Sequence, residues 1–71
     1  MPIRIHFGNQ VRIKRKTLNM SQEELAYIAG INRSHMGQIE RGTKSAGLTT
    51  IARIAKALNC PASQLLDYQP K

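Results

Sequence analysis

The stretch QEELAYIAGINRSHMGQIER, Gln22 to Arg41, decides how this chain folds. Leu25 and Ala29, then Met36 and Ile39, recur at the spacing that gathers apolar side chains on one face of each of two helices. Between them stands Gly30, which can take the left-handed backbone conformation just past a helix end without a Cβ clash. Ile31 then plugs the corner and Asn32 opens the next helix. Ala26 falls where the two helices cross, and a larger side chain there would push them apart. The pattern predicts two helices joined by a tight turn, a helix-turn-helix.

Just upstream, Ser21 precedes Gln22, Glu23 and Glu24, so its hydroxyl can cap the first of these helices while Glu24, three residues on, completes a capping box. The Glu24 charge also suits the positive end of the helix dipole. Before Ser21 the spacing predicts a helix over about residues 8–18, with Phe7, Val11 and Leu18 on its inner face and a basic cluster of Arg12, Lys14, Arg15 and Lys16. A short N-terminal tail precedes it. The predicted pair itself covers residues 22–29 and 33–41, and the second member ends near Gly42. Residues 43–47 form a turn-rich loop. Leu48, Ile51, Ile54, Ala55 and Leu58 then mark a helix over 48–58, stopped by Asn59. Pro61 is acceptable in a first helical turn, which allows a last short helix over 61–66 anchored by Leu65 and Leu66. The expected fold is all-α: five helices in a single domain over residues 1–71.

At 71 residues and 8.0 kDa a single core is only marginally stabilising, and self-association becomes a useful supplement. Eleven Lys and Arg against four Asp and Glu leave a net charge of +7 and a pI near 10.4. Such a chain favours a polyanionic partner, and charge alone fits DNA, RNA or an acidic membrane surface. No apolar run approaches the length of a membrane span, and MPIRIHFGNQ lacks the apolar block of a signal peptide, so the expected location is the cytoplasm. Cys60, the one cysteine, has no second thiol for a disulfide or metal site and reads as a small buried hydrophobe after a helix. His6 and His35 are not spaced as metal ligands. Neither a nucleophile with a positioned base nor a glycine-rich phosphate loop is present, so the reading is of a non-enzyme with no cofactor and no metal.

The second helix of such a pair enters the major groove of DNA, its N-terminal residues reaching base edges while neighbouring turns touch phosphates. Setting aside the inward Met36 and Ile39, Arg33, Ser34, Gly37 and Gln38 face outward, with His35 at the flank. Arg33 can pair with guanine O6 and N7, Gln38 with adenine N6 and N7, and Ser34 can donate or accept. Whether Arg33 meets a base or a phosphate stays open on this reading, as does the choice for His35 between DNA contact and covering the helix. Gly37 removes bulk where the helix nears the groove. Gln22, at the helix start, together with Asn32, Arg41 and Lys44, is placed for phosphates. Lys14 either approaches the DNA backbone or lays its stem over Val11 or Leu18. Glu40 would repel phosphates unless turned inward, and Arg15 is its candidate partner.

SQEELA at Ser21 to Ala26, AGINRS at Ala29 to Ser34, IERG at Ile39 to Gly42 and IAKAL at Ile54 to Leu58 carry a wider resemblance. Over about residues 8–66 the chain resembles the Cro and phage-repressor type of helix-turn-helix, the XRE family with its lambda-repressor-like domain. INRSHMGQIERG together with IAKAL is most similar to the controller proteins of restriction-modification systems, small homodimers that bind operators upstream of their own and the endonuclease genes. The resemblance implies a phosphate contact at Gln22, base-region contacts at Arg33, Ser34, His35 and Gln38, the Arg15 and Glu40 pairing, and a dimer contact at the last helix through Leu65 and Leu66. It implies double-stranded DNA as partner, two-fold related operators, regulation as activator, repressor or both, and room for paired dimers and for RNA polymerase. Three positions depart from the family pattern: Lys14 replaces an apolar residue, and Ile13 and Ile28 replace polar ones. The loop SAG at Ser45 to Gly47 also replaces a more typical proline-containing turn. The alternatives are an antitoxin or phage-type repressor, or an RNA- or protein-interaction module whose contact face holds Ile13 and Ile28.

Overall fold

The computed structural model describes residues 2–68 and contains, among them, five helices and no strand. These are α1 (Ile3–Thr17), α2 (Gln22–Ala29), α3 (Arg33–Arg41), α4 (Leu48–Ala57) and α5 (Ala62–Leu65). They wrap one core. α1 packs chiefly on α3, α2 on both α3 and α4, and α5 bridges α4 and α1.

The corner between α2 and α3 is built by local chemistry. Ser21 Oγ accepts from the Glu24 backbone N–H at 3.0 Å, and Glu24 Oε1 accepts from the Ser21 N–H at 2.9 Å, so two donors orphaned at the helix start are satisfied reciprocally. At the other end Gly30 adopts φ +70°, and the Ile31 N–H donates back to the Ala26 carbonyl at 2.9 Å. Asn32 Oδ1 accepts from the N–H groups of Ser34 and His35 at 2.8 and 3.3 Å, which starts α3 at once. Gly42, at φ +77°, ends it.

The core consists of Phe7 and Val11 from α1, Leu25, Ala26 and Ala29 from α2, Met36 and Ile39 from α3, Ile54, Ala55 and Leu58 from the α4 region, and Leu65 from α5. Ile31, Ile51 and Cys60 are half-buried against it. Cys60 is therefore less enclosed than the sequence reading expects.

α1 begins at Ile3 rather than near residue 8, because Pro2 caps it: the Pro2 carbonyl accepts from the N–H groups of Ile5 and His6 at 3.0 and 3.3 Å. From Ile3 onward the supposed tail is helix. Gly8 lies inside α1, where a Cβ would overlap the carbonyl oxygens of Ile39 and Glu40, so its bareness is what lets α1 settle on the last turn of α3. Leu18 is not inward but 42% exposed, since the helix stops at Thr17 and Leu18 only caps its end. Leu48 is 86% exposed, standing at the first position of α4, before the apolar stripe meets the core. α4 closes at Ala57 with Leu58 as cap, and Asn59 takes φ +55° beyond it.

Candidate nucleic-acid interface

α3 divides its side chains cleanly. Met36 and Ile39 are fully buried, Arg33 and Ser34 are exposed, and His35 and Gln38 are half-buried on the helix flanks. Burial of the apolar pair fixes the rotation of the helix, and that rotation aims the polar residues outward. Gln22, Arg33, Ser34, Gly37 and Arg41 together line one open groove of about 420 Å³ between the start of α2 and α3. At its floor is Gly37. A Cβ there would lie 3.1 Å from Arg41 Nη1 and 3.4 Å from Gln22 Oε1, so both polar ends converge on the bare glycine. Arg41 reaches it by running back one turn, the direction in which long helical side chains point.

The helix is held from behind by α1. Arg15 donates its Nε–H to Glu40 Oε2 at 2.8 Å and Nη2–H to Oε1 at 2.9 Å, a two-point pair with side chains 11% and 3% exposed. Arg15 Nη1 also donates to the Met20 carbonyl at 2.9 Å, which ties the end of α1 and the approach to α2 into the same network. Turned inward, Glu40 removes a carboxylate from the groove face and leaves that face positive. A further tether escaped the sequence reading. Arg4 donates its Nε–H to the Gly42 carbonyl at 2.9 Å, fastening the first turn of α1 to the cap of α3. A helix placed from residue 8 onward hides this contact, and only Pro2, a frequent occupant of helix starts, signals the earlier beginning.

Asn32, exposed, commits its side-chain oxygen to the cap of α3 and has its amide N–H donors outside that cap. Lys44 is exposed in the loop just beyond α3. Lys14 does not join the groove; it lines a separate one with Gln10, Ile13, Thr17, Gln64 and Leu65, beside α5. Its angular position on α1, one residue before Arg15, turns it toward α5 and away from Gln22. Leu65, expected at a dimer contact, is 1% exposed within the single chain and is a core residue, because the short α5 packs against both α4 and α1. Leu66, half-buried, lies instead in a shallow apolar groove with Ile3, Phe7, Ala46, Leu48 and Ile51. Ile13 and Ile28 are each 56% exposed. Glu24, fully exposed in the first turn of α2, has its carboxyl held below the usual value, chiefly by the Ser21 backbone N–H and then by the Ser21 hydroxyl.

A helix-turn-helix family model matches residues 11–65, most of the described chain. The chain belongs to the XRE-type helix-turn-helix family. Within that family it is 43% identical over 67 residues to the control protein C.BamHI of Bacillus amyloliquefaciens, an alignment covering 93% of this chain and 83% of that protein. It is 39% identical over 69 residues to the control protein C.SmaI of Serratia marcescens, covering 97% of this chain and 82% of that one. Among solved structures, the restriction-modification controller protein C.AhdI of Aeromonas hydrophila superposes with a TM-score of 0.85 at 35% identity, covering 87% of this chain and 94% of its own. The family's helix-turn-helix is the pair α2 and α3, and the groove lies along it.

Proposed function

We propose that this chain is a transcriptional regulator of the restriction-modification controller type, a homodimer that binds a two-fold related operator through α3. The observation that carries the reading is the single groove along α2 and α3, where two guanidinium groups, a serine hydroxyl and a glutamine amide stand together with the one acid of α3 withdrawn into its pair with Arg15. In this reading Arg33, Ser34 and Gln38 meet base edges in the major groove, with His35 at the flank. Gln22, Arg41 and Lys44 hold phosphates on either side. The similarity to control proteins over most of their length supports the assignment to that class.

Two-fold operators place their half-sites about 34 Å apart, one turn of DNA. A protomer of 34 × 21 × 21 Å is of the right size for two touching copies to present their α3 helices at that spacing. The face assigned to the contact is the one carrying Leu66, continued by Leu48 and Ile3, since Leu65 has no surface left to give. Position of the operator relative to the promoter then sets whether bound dimers block RNA polymerase or recruit it, and paired dimers on adjacent operators give both outcomes in turn.

Fluorescence anisotropy on the duplex upstream of this chain's own gene, against a scrambled duplex of equal length, tests the reading. A preference that survives physiological salt, with a symmetric footprint, supports an operator-binding dimer. Equal and strongly salt-sensitive binding to both duplexes refutes it.

A further inference from the structure

The bare position at the floor of the groove carries an inference about how Arg41 is used. Arg41 closes α3, and an arginine at a helix end ordinarily finds its best electrostatic partner in the carbonyl groups of that end. Here its guanidinium lies back over Gly37, where a Cβ would meet Nη1 at 3.1 Å, and Gln22 Oε1 approaches the same point from α2. Gly37 itself is buried beneath those two side chains, at the floor of a groove that is open to solvent above them. Neither Arg33 nor Arg41 has an ion-pair partner among the described residues, so the groove holds two uncompensated charges.

We infer that Gly37 is a positioning residue: by lacking a side chain it lets Arg41 fold back beside Gln22, so that one DNA phosphate is held jointly from α2 and from the far end of α3. This rests on the reading of α3 as the DNA-facing helix. A guanidinium brought to the side chain of Gln22 supplies charge and paired N–H donors to a phosphate that the glutamine alone would hold only through its neutral amide. The joint grip ties both helices of the motif to one point on the DNA backbone and sets how deeply α3 enters. An alanine at position 37 makes the guanidinium yield by a few tenths of an ångström beside Gln22, and a leucine drives it out, so that the two helices hold the backbone separately.

The sign of a Gly37→Ala change makes the inference testable, because alanine in a helix interior favours folding over glycine. Binding to a scrambled duplex and to the footprinted operator is titrated over a range of salt for Gly37→Ala, Arg41→Ala and the double variant, with Gly37→Leu as a bulkier version and Tm recorded for each. Expected is a Gly37→Ala protein that melts no lower than the parent yet binds both duplexes about three-fold more weakly or worse, the lower end of couplings between touching residues. In the Arg41→Ala background the same change has no further effect, and Arg41→Ala flattens the salt dependence by about one phosphate contact. An equal loss from Gly37→Ala in both backgrounds would mean that the methyl group meets the DNA itself, and would overturn the inference. So would unchanged affinity for both Gly37→Ala and Gly37→Leu. Arg33→Ala serves as the control for the underlying reading: if it alters neither affinity nor base preference, α3 does not face DNA and the inference falls with it.

Discussion

Arg15→Met is the perturbation whose consequence the structure specifies most fully. Methionine keeps an apolar stem of similar reach but deletes three hydrogen bonds, two to Glu40 and one to the Met20 carbonyl. What remains is a carboxylate 3% exposed with no counter-charge. Removing one member of a buried pair costs about 3–5 kcal/mol, far above the 0–1 kcal/mol of a solvent-exposed pair, because the surviving charge keeps its desolvation penalty without its partner. For a domain of 71 residues the whole stability is roughly 4–11 kcal/mol at the usual per-residue value, so the variant sits near the edge of folding. Urea denaturation followed by far-ultraviolet circular dichroism at low temperature reads this directly. With a slope of about 1 kcal/mol per molar urea for so small a chain, the midpoint should fall by about 3 M or more. Arg15→Met combined with Glu40→Leu should recover much of the loss, since apolar replacement of both members relieves the stranded charge. A midpoint shift below about 1 M for Arg15→Met alone would refute the reasoning and put the pair in the class of surface salt bridges.

Gly8→Ala should lower Tm, because overpacking against the backbone of α3 costs about 1–3 kcal/mol and exceeds the roughly 1 kcal/mol that alanine gains in a helix; calorimetry showing a raised Tm would contradict the close approach. The Glu24 carboxyl is held below its ordinary value of 4.5 in the folded chain, so its contribution is present above that value and is lost as pH falls through the lowered one. The Tm gap between the parent and Glu24→Gln should therefore be widest near neutral pH and shrink in acid. Arg33→Ala should relax base preference at one position of each half-site by about 1–3 kcal/mol, whereas Lys44→Ala should weaken all sequences alike and reduce the salt slope by about 1, both read by anisotropy on single-base operator variants. Leu48→Asp, at a residue 86% exposed, should leave the melting of the protomer nearly unchanged but shift sedimentation toward monomer and weaken operator binding. An unchanged sedimentation profile would move the contact to another face.

Local signals along the chain were sufficient for the heart of the fold. The Ser21 and Glu24 capping box, Gly30 at its left-handed corner and the Asn32 cap are each decided by residues within five positions of one another, and such short-range hydrogen bonding survives translation into three dimensions. Apolar periodicity likewise placed Met36 and Ile39 inward and so turned Arg33 and Ser34 outward, while Gln38, expected outward with them, is half-buried on the flank and outside the groove lining. The inward turn of Glu40 was open to a charge argument, because a carboxylate on a phosphate-facing helix needs a partner.

Tertiary structure decided what depends on neighbours distant in sequence. Position 8 must be bare because α3 presses on it, a fact no window around residue 8 contains. The first turn of α1 is secured by Arg4 reaching the Gly42 carbonyl, and the pairing spans too much chain for local pattern to show it. Leu65 and Leu66 are adjacent and chemically alike, yet α1 and α4 enclose the first and leave the second partly free, so burial rather than residue type separates core from surface. Lys14 and Arg15 are likewise neighbours on a helix, but about 100° of rotation sends one to α5 and the other to Glu40. Sequence determined which segments coil and which faces are apolar, because those are properties of a few consecutive residues; which polar and apolar side chains meet was left to the packing, where angles and close approaches are set.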